Sequence, residues 1–165
     1  MYLVYRGVDV ILCDPNRGRL DVGSSLGARQ TATIGREGGA SVDVRALTRG
    51  GLGADIAIDC TGAPAIWSDA IESVAVGGLV NFFGGCAPGT RVCLDTHLVH
   101  YSELTLKGVY HHTPAAVREA LQLLGQSDFA AESLLSSVRP IEQVEAALRS
   151  MIGKESLKVV IDPTL

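Results

Sequence analysis

The chain has 165 residues, of which 47% are hydrophobic and 19 are glycine, and its formal net charge is −4. That length holds one domain or part of one, and the apolar fraction excludes a disordered chain. The mildly acidic balance leaves no electrostatic footprint for nucleic acid, with Arg17, Arg19 and Arg29 read as a solvated face.

The N-terminal stretch MYLVYRGVDVILC is too short, and too interrupted by Arg6 and Asp9, for a signal peptide or a membrane span. The expected setting is the cytoplasm, with no membrane partner. VDVILCD (8–14) reads as a buried parallel strand ending on Asp14, and Pro15, Asn16 and Gly18 turn the chain into a helix from Arg19 to about Leu26, closed by Gly27. A strand that ends on an acid before a turn and a helix is how a dinucleotide-binding sheet offers a carboxylate to a ribose. Capping of the following helix is the other reading of Asp14, and the residues alone leave the two open.

TATI (31–34) is a short strand, followed by a helix around 42–48 that ends in glycines. DIAIDCTG (55–62) is the next strand. In the helix over 65–75, Ile66, Ala70, Ile71 and Val74 share one face. GGLVNFFGG (77–85) is a strand bracketed by glycine pairs, and ELTLKGVY (103–110) is another. Pro114 begins a helix whose Val117, Ala120, Leu121 and Leu124 are expected to face inward. Pro140 opens a last helix over IEQVEAALRSMI, Gly153 closes it, and LKVVID (157–162) is the final strand. Strands alternating with helices of this length predict an α/β fold with a doubly wound parallel sheet.

Cys13, Cys60, Cys86 and Cys93 are scattered without a C-x-x-C pair, and Cys13 and Cys60 close apolar runs as buried thiols would. His97 and His100 in THLVH could share a helix face, with His111 and His112 nearby in sequence. No carboxylate or thiol at ligand spacing supports them, so they read as polar loop residues rather than a metal site. Trp67 reads as a packing or interface residue.

The stretches DPNRGRLDVGSSLGA, GGLGADIAIDCTGAP, ESVAVGGLVNFFGG, HYSELTLKGVYHHTP and VRPIEQVEAALRSMIGKESLKVVIDP, in this order, resemble the C-terminal half of the medium-chain zinc-dependent alcohol and polyol dehydrogenases. The likeness runs from about residue 3 to 163, and HHTP is most similar to the sorbitol and threonine dehydrogenase branch. The resemblance implies a Rossmann-like sheet that binds NAD in a protein transferring a hydride between an alcohol and that cofactor. Asp14 would accept hydrogen bonds from the adenine-side ribose, with Arg19 beside it. A 2′-phosphate would meet a like charge at Asp14, so NADP is the less favoured cofactor, although Arg17 and Arg19 weaken its exclusion. Thr61 and Gly62 would lie against the adenosine, and Phe83, Gly84 and Gly85 would approach the nicotinamide. Val109, Tyr110 and His111 would offer main-chain groups to the carboxamide, and Lys158 would reach the pyrophosphate. The bland readings are a tight turn for Gly84-Gly85 and a solvated edge lysine for Lys158.

No G-x-G-x-x-G occurs. GGCAPG (84–89) has Cys86 at the second required glycine, and GGLGAD lacks the third. MYLVYRG reads as the end of the helix that should follow the phosphate loop. The first strand and the glycine-rich loop are thus expected to be lacking, together with the zinc-bearing catalytic domain. Zinc is expected only in the intact family member. Residues 1–112 would be an incomplete dinucleotide-binding domain, and 113–165 a segment that in the family packs back on the catalytic domain. Without a central first strand, the flanking strands would close on each other, be bridged by a partner chain, or belong to a longer protein. A homodimer is expected. A catalytically inert nucleotide-binding or dimerisation module is the alternative. A methyltransferase-like nucleoside site fits Asp14 but not the later segments.

Overall fold

The computed structural model describes residues 1–35 and 37–165. In chain order the elements are α1 (Tyr2–Tyr5), β1 (Ile11–Asp14), α2 (Arg17–Ser25), β2 (Gln30–Thr33), α3 (Ser41–Ala46), β3 (Ala54–Asp59), α4 (Pro64–Ser73), β4 (Val74–Phe82), α5 (Thr96–Tyr101), β5 (Thr105–Gly108), α6 (Pro114–Leu124), β6 (Ser137–Arg139), α7 (Val144–Ile152) and β7 (Val159–Ile161). Every ladder among the described residues is parallel, as the strand–helix alternation predicts.

The strands fall into three sheets, β1-β2, β3-β4-β5 and β6-β7. β1 and β3 therefore do not close on each other, and each has one edge with no strand beside it among the described residues. This is the break expected where a central strand is lacking. β6 pairs Ser137, Val138 and Arg139 with Val159, Val160 and Ile161 of β7. That partner strand is absent from the sequence reading, because three residues carry too little alternation to register.

The main core lies on one face of β3-β4-β5. Ala70 and Ile71 of α4 meet Val74, Val80 and Phe82 of β4, with Ala57, Trp67, Leu98, Val99, Leu104 and Leu106 around them. Fully buried Val80 and nearly buried Ile71 each contribute about 1.5–3 kcal/mol by leaving water. The opposite face of the same sheet is open, with Ile56 57% and Ile58 43% exposed.

Several boundaries differ from the sequence reading for local reasons. α2 starts at Arg17 rather than Arg19, because Asn16 is its N-cap and accepts from the Arg19 amide at 3.2 Å. The helix over 65–75 stops at Ser73, and Val74 already belongs to β4. The extra residues at the start of β4 are absorbed by a register shift between Ala54 and Ile56, where Gly77 takes φ +76°. His97 and His100 are not loop residues but lie on α5, whose N-cap Asp95 accepts from the His97 and Leu98 amides at 2.8 and 3.2 Å.

The expectation for α6 is overturned on its packing. Its ends are as read, with Thr113 capping the Ala116 amide at 3.2 Å and Pro114 in the first turn. Yet Val117, Ala120, Leu121 and Leu124 are exposed instead of inward. The helix is held from its other side, where Tyr2 donates to Glu119 at 3.2 Å and Tyr5 donates to Gln126 and packs edge-on against Phe129. Among the described residues no helix is long and apolar enough to cross a membrane.

Candidate functional site

In a parallel ladder all strands end on the same side, so Asp14, Asp59, Phe82 and Gly108 each mark the C-terminal end of a strand in its sheet. Such ends are where open α/β sheets bind ligands.

At the end of β1, the Asp14 carboxylate accepts from the Asn16 amide through Oδ1 at 2.7 Å. Its Oδ2 lies 3.8 Å from a guanidinium nitrogen of Arg19, and both side chains are about a quarter to a third exposed. Because Asn16 caps α2, Asp14 is not the cap. A carboxylate has about four acceptor positions, so Asp14 keeps capacity for a hydroxyl-bearing ligand on its exposed side.

The end of β3 forms a denser knot around Asp59, which is 3% exposed. Oδ1 accepts from the Thr61 amide at 3.0 Å and from the Thr61 hydroxyl at 2.6 Å. Oδ2 accepts from the Gly62 amide at 3.1 Å and from the Trp67 indole at 3.1 Å. The Asp59 carbonyl takes the Phe83 and Gly84 amides at 3.0 and 2.8 Å, which joins the ends of β3 and β4. The Trp67 indole N–H also reaches the Gly84 carbonyl at 3.2 Å, and its ring stacks on Phe82 with centroids 3.8 Å apart. Gly84 is required here. A Cβ on it would stand 2.7 Å from the Thr61 nitrogen and 2.8 Å from Asp59 Oδ2. Gly62 has φ +66°, and a Cβ there would meet the Gly85 backbone.

Beyond β4, Phe83 is largely exposed and Gly85 has open space where a side chain would be. Beyond β5, the Val109 amide donates to the Phe82 carbonyl at 3.4 Å, so this segment continues the ladder briefly. Tyr110 is 90% exposed, and its ring stands edge-on to His111, which takes φ +62°. Lys158 precedes β7 and is exposed. Its carbonyl accepts from the Ser136 amide at 2.8 Å.

The structure thus brings Thr61, Gly62, Phe83 and Gly84 together through Asp59, and pairs Asp14 with Arg19. No hydrogen bond or ion pair among the described residues joins those two groups to each other or to the Lys158 side chain. Asp59 and the indole contact of Trp67 are the residues the sequence reading missed. The available signal was the same one that singled out Asp14, an acid closing an apolar strand.

Neither thiol closing an apolar run is fully buried as read, since Cys60 is exposed and Cys13 half-buried. Partial desolvation first, and the Asp59 charge second, still push the Cys60 pKa up, and desolvation does the same to Cys13. An apolar cavity of about 200 Å³ lies beside the knot, lined by Trp67, Phe82, Cys86, Leu94 and Leu106 among others. A larger one of about 340 Å³ is bordered by Arg45, Glu72 and Val76 toward the start of β4. There Arg45 donates to the carbonyls of Val74, Leu52 and Glu72 at 2.8, 2.9 and 3.2 Å, a structural clasp away from the strand ends. Among the described residues no group of three His, Cys, Asp or Glu side chains is placed to hold a metal ion.

The model of the family described as zinc-binding dehydrogenase matches residues 1–126. An L-threonine 3-dehydrogenase from Idiomarina loihiensis is 25% identical over 155 residues, which is 93% of this chain but 44% of that protein. The benzyl alcohol dehydrogenase of Acinetobacter calcoaceticus superposes with a TM-score of 0.82 at 20% identity, over 93% of this chain and 42% of that one. A Sinorhizobium meliloti structure bound to NADP superposes with a TM-score of 0.80 at 19% identity, over 94% and 45%. The chain therefore spans less than half the length of these relatives.

Proposed function

Because the chain belongs to the zinc-binding dehydrogenase family, as the C-terminal, dinucleotide-binding-type portion of an alcohol or polyol dehydrogenase, we propose that it holds a nicotinamide dinucleotide across the ends of β1, β3, β4 and β5. The observation that carries the reading is Asp14, a strand-end carboxylate freed from capping duty by Asn16, with a cation beside it. The inert-module alternative is not favoured, since nearly the whole chain aligns with dehydrogenases.

In this proposal Asp14 accepts the adenine-side ribose hydroxyls and Arg19 flanks them. Thr61 and Gly62 lie against the adenosine, and Phe83, Gly84 and Gly85 approach the nicotinamide. Val109, Tyr110 and His111 supply main-chain groups to the carboxamide, and Lys158 reaches the pyrophosphate. The Asp14 charge favours NAD, while Arg19 and the NADP of the Sinorhizobium relative keep this a preference. The bound dinucleotide supplies a carbon that takes up or releases hydride. This chain's own groups bind and orient it. Among the described residues no metal-ligand set is placed to hold zinc.

The proposal includes a division into a dinucleotide-binding part, 1–112, and a C-terminal part, 113–165, that packs on a catalytic domain. It also includes a homodimer in the cytoplasm, a setting in keeping with four free thiols.

Calorimetric titration with NAD, of the wild type and of Asp14→Ala, tests the reading. Loss of charge-assisted hydrogen bonds is expected to weaken binding about tenfold or more, with the circular dichroism unchanged. No binding heat from the folded wild type overturns it. Sedimentation at the same concentrations reads the mass, and a monomer overturns the dimer.

A further inference from the structure

The hydrogen-bond polarity of the Asp59 knot has a consequence for what Thr61 offers a ligand. A hydroxyl has one proton and two lone pairs. The Thr61 proton goes to Asp59 Oδ1 at 2.6 Å, and its oxygen already accepts from the Ala63 amide at 3.1 Å. One lone pair remains, on a residue that is exposed. Asp59 itself meets four donors, from Thr61 twice, from Gly62 and from Trp67, so a group able only to accept is required there.

We propose that Asp59 is the positioning residue of the site. It fixes the Thr61 hydroxyl so that a bound dinucleotide meets it as an acceptor only, and it ties the 60–62 turn to the 83–85 glycine turn so that the two are held in one arrangement. The proposal rests on the dinucleotide reading above. The ligand must then bring a donor to Thr61, which a dinucleotide has in its ribose hydroxyls and amino groups. The carboxylate does not touch the ligand and acts through Thr61.

Three single variants, one double variant and two readouts separate this role from a merely structural one. Thr61→Val removes the acceptor and is expected to weaken NAD two- to tenfold, about the worth of one hydrogen bond, while Thr61→Ser keeps wild-type affinity. In Asp59→Asn an amide NH₂ faces a donor, the indole or the Thr61 hydroxyl. The emission of Trp67, the chain's one tryptophan, is expected to shift, and NAD affinity to fall as in Thr61→Val. Combining the two substitutions is expected to add little to either.

Unchanged NAD affinity in Asp59→Asn overturns the role whatever the emission does, and so does full additivity of the two variants. Should Asp59→Asn not fold, wild-type affinity in Thr61→Val overturns it alone. A folded wild type that binds no NAD overturns the dinucleotide reading first, and this role with it.

Discussion

Cys60 follows Asp59 directly and is exposed as a residue, yet partial desolvation of its thiol first and the neighbouring carboxylate second push its pKa up. Desolvation alone does the same to Cys13. Both thiols bind their protons more tightly in the folded chain than in the unfolded one. Their contribution to stability is therefore complete at neutral pH and is lost as the pH rises through the thiol range. Removing the charge in Asp59→Asn lowers the Cys60 pKa, so iodoacetamide is expected to label Cys60 faster at a fixed alkaline pH. Peptide mapping reads the rate, and equal labelling in both proteins would show that burial alone sets it. Asp14 was legible in the sequence because a turn and a helix follow it at once. Asp59 closes its strand in the same way, but its donors come from residues 61, 62 and 67 and its carbonyl reaches 83 and 84. Only the folded chain brings those segments to one carboxylate.

At the level of elements, α4 and α6 carry similar apolar faces with opposite fates. Ile66, Ala70 and Ile71 of α4 are buried, the last two in the core with β4, whereas Leu121 of α6 is 64% exposed. Periodicity says which face of a helix is apolar and not what lies against it, which is why α4 was legible and α6 was not. Chemical denaturation separates the two. Ile71→Ala is expected to cost about 2–5 kcal/mol through the lost transfer energy and the cavity left behind. Leu121→Gln is expected to stay within about 0.5 kcal/mol of the wild type. A large loss in Leu121→Gln would mean that α6 is covered in solution.

For the whole molecule, β4 is the strand with a partner on both sides, and Leu79, Val80, Asn81 and Phe82 are in register with β3 and β5 at once. Amide hydrogen exchange is expected to be slowest over those four residues and faster in β1, which among the described residues pairs with β2 alone. Equal protection in β1 would reveal a strand on its free edge. The parallel class was legible because an apolar strand followed by a helix leaves few other topologies. The gap between β1 and β3 was expected only from a phosphate loop that the sequence lacks, and the separate β6-β7 sheet was not expected at all, since pairing between distant segments leaves no mark on local pattern.

The free edges of β1 and β3 also bear on how the protein behaves in a test tube. Each offers a row of amides and carbonyls to any extended chain, and Ile56 and Ile58 add an apolar face beside one of them. Such a surface makes self-association a matter of concentration. Crowded or stored samples would thicken into strand-paired aggregates sooner than a closed sheet of the same composition.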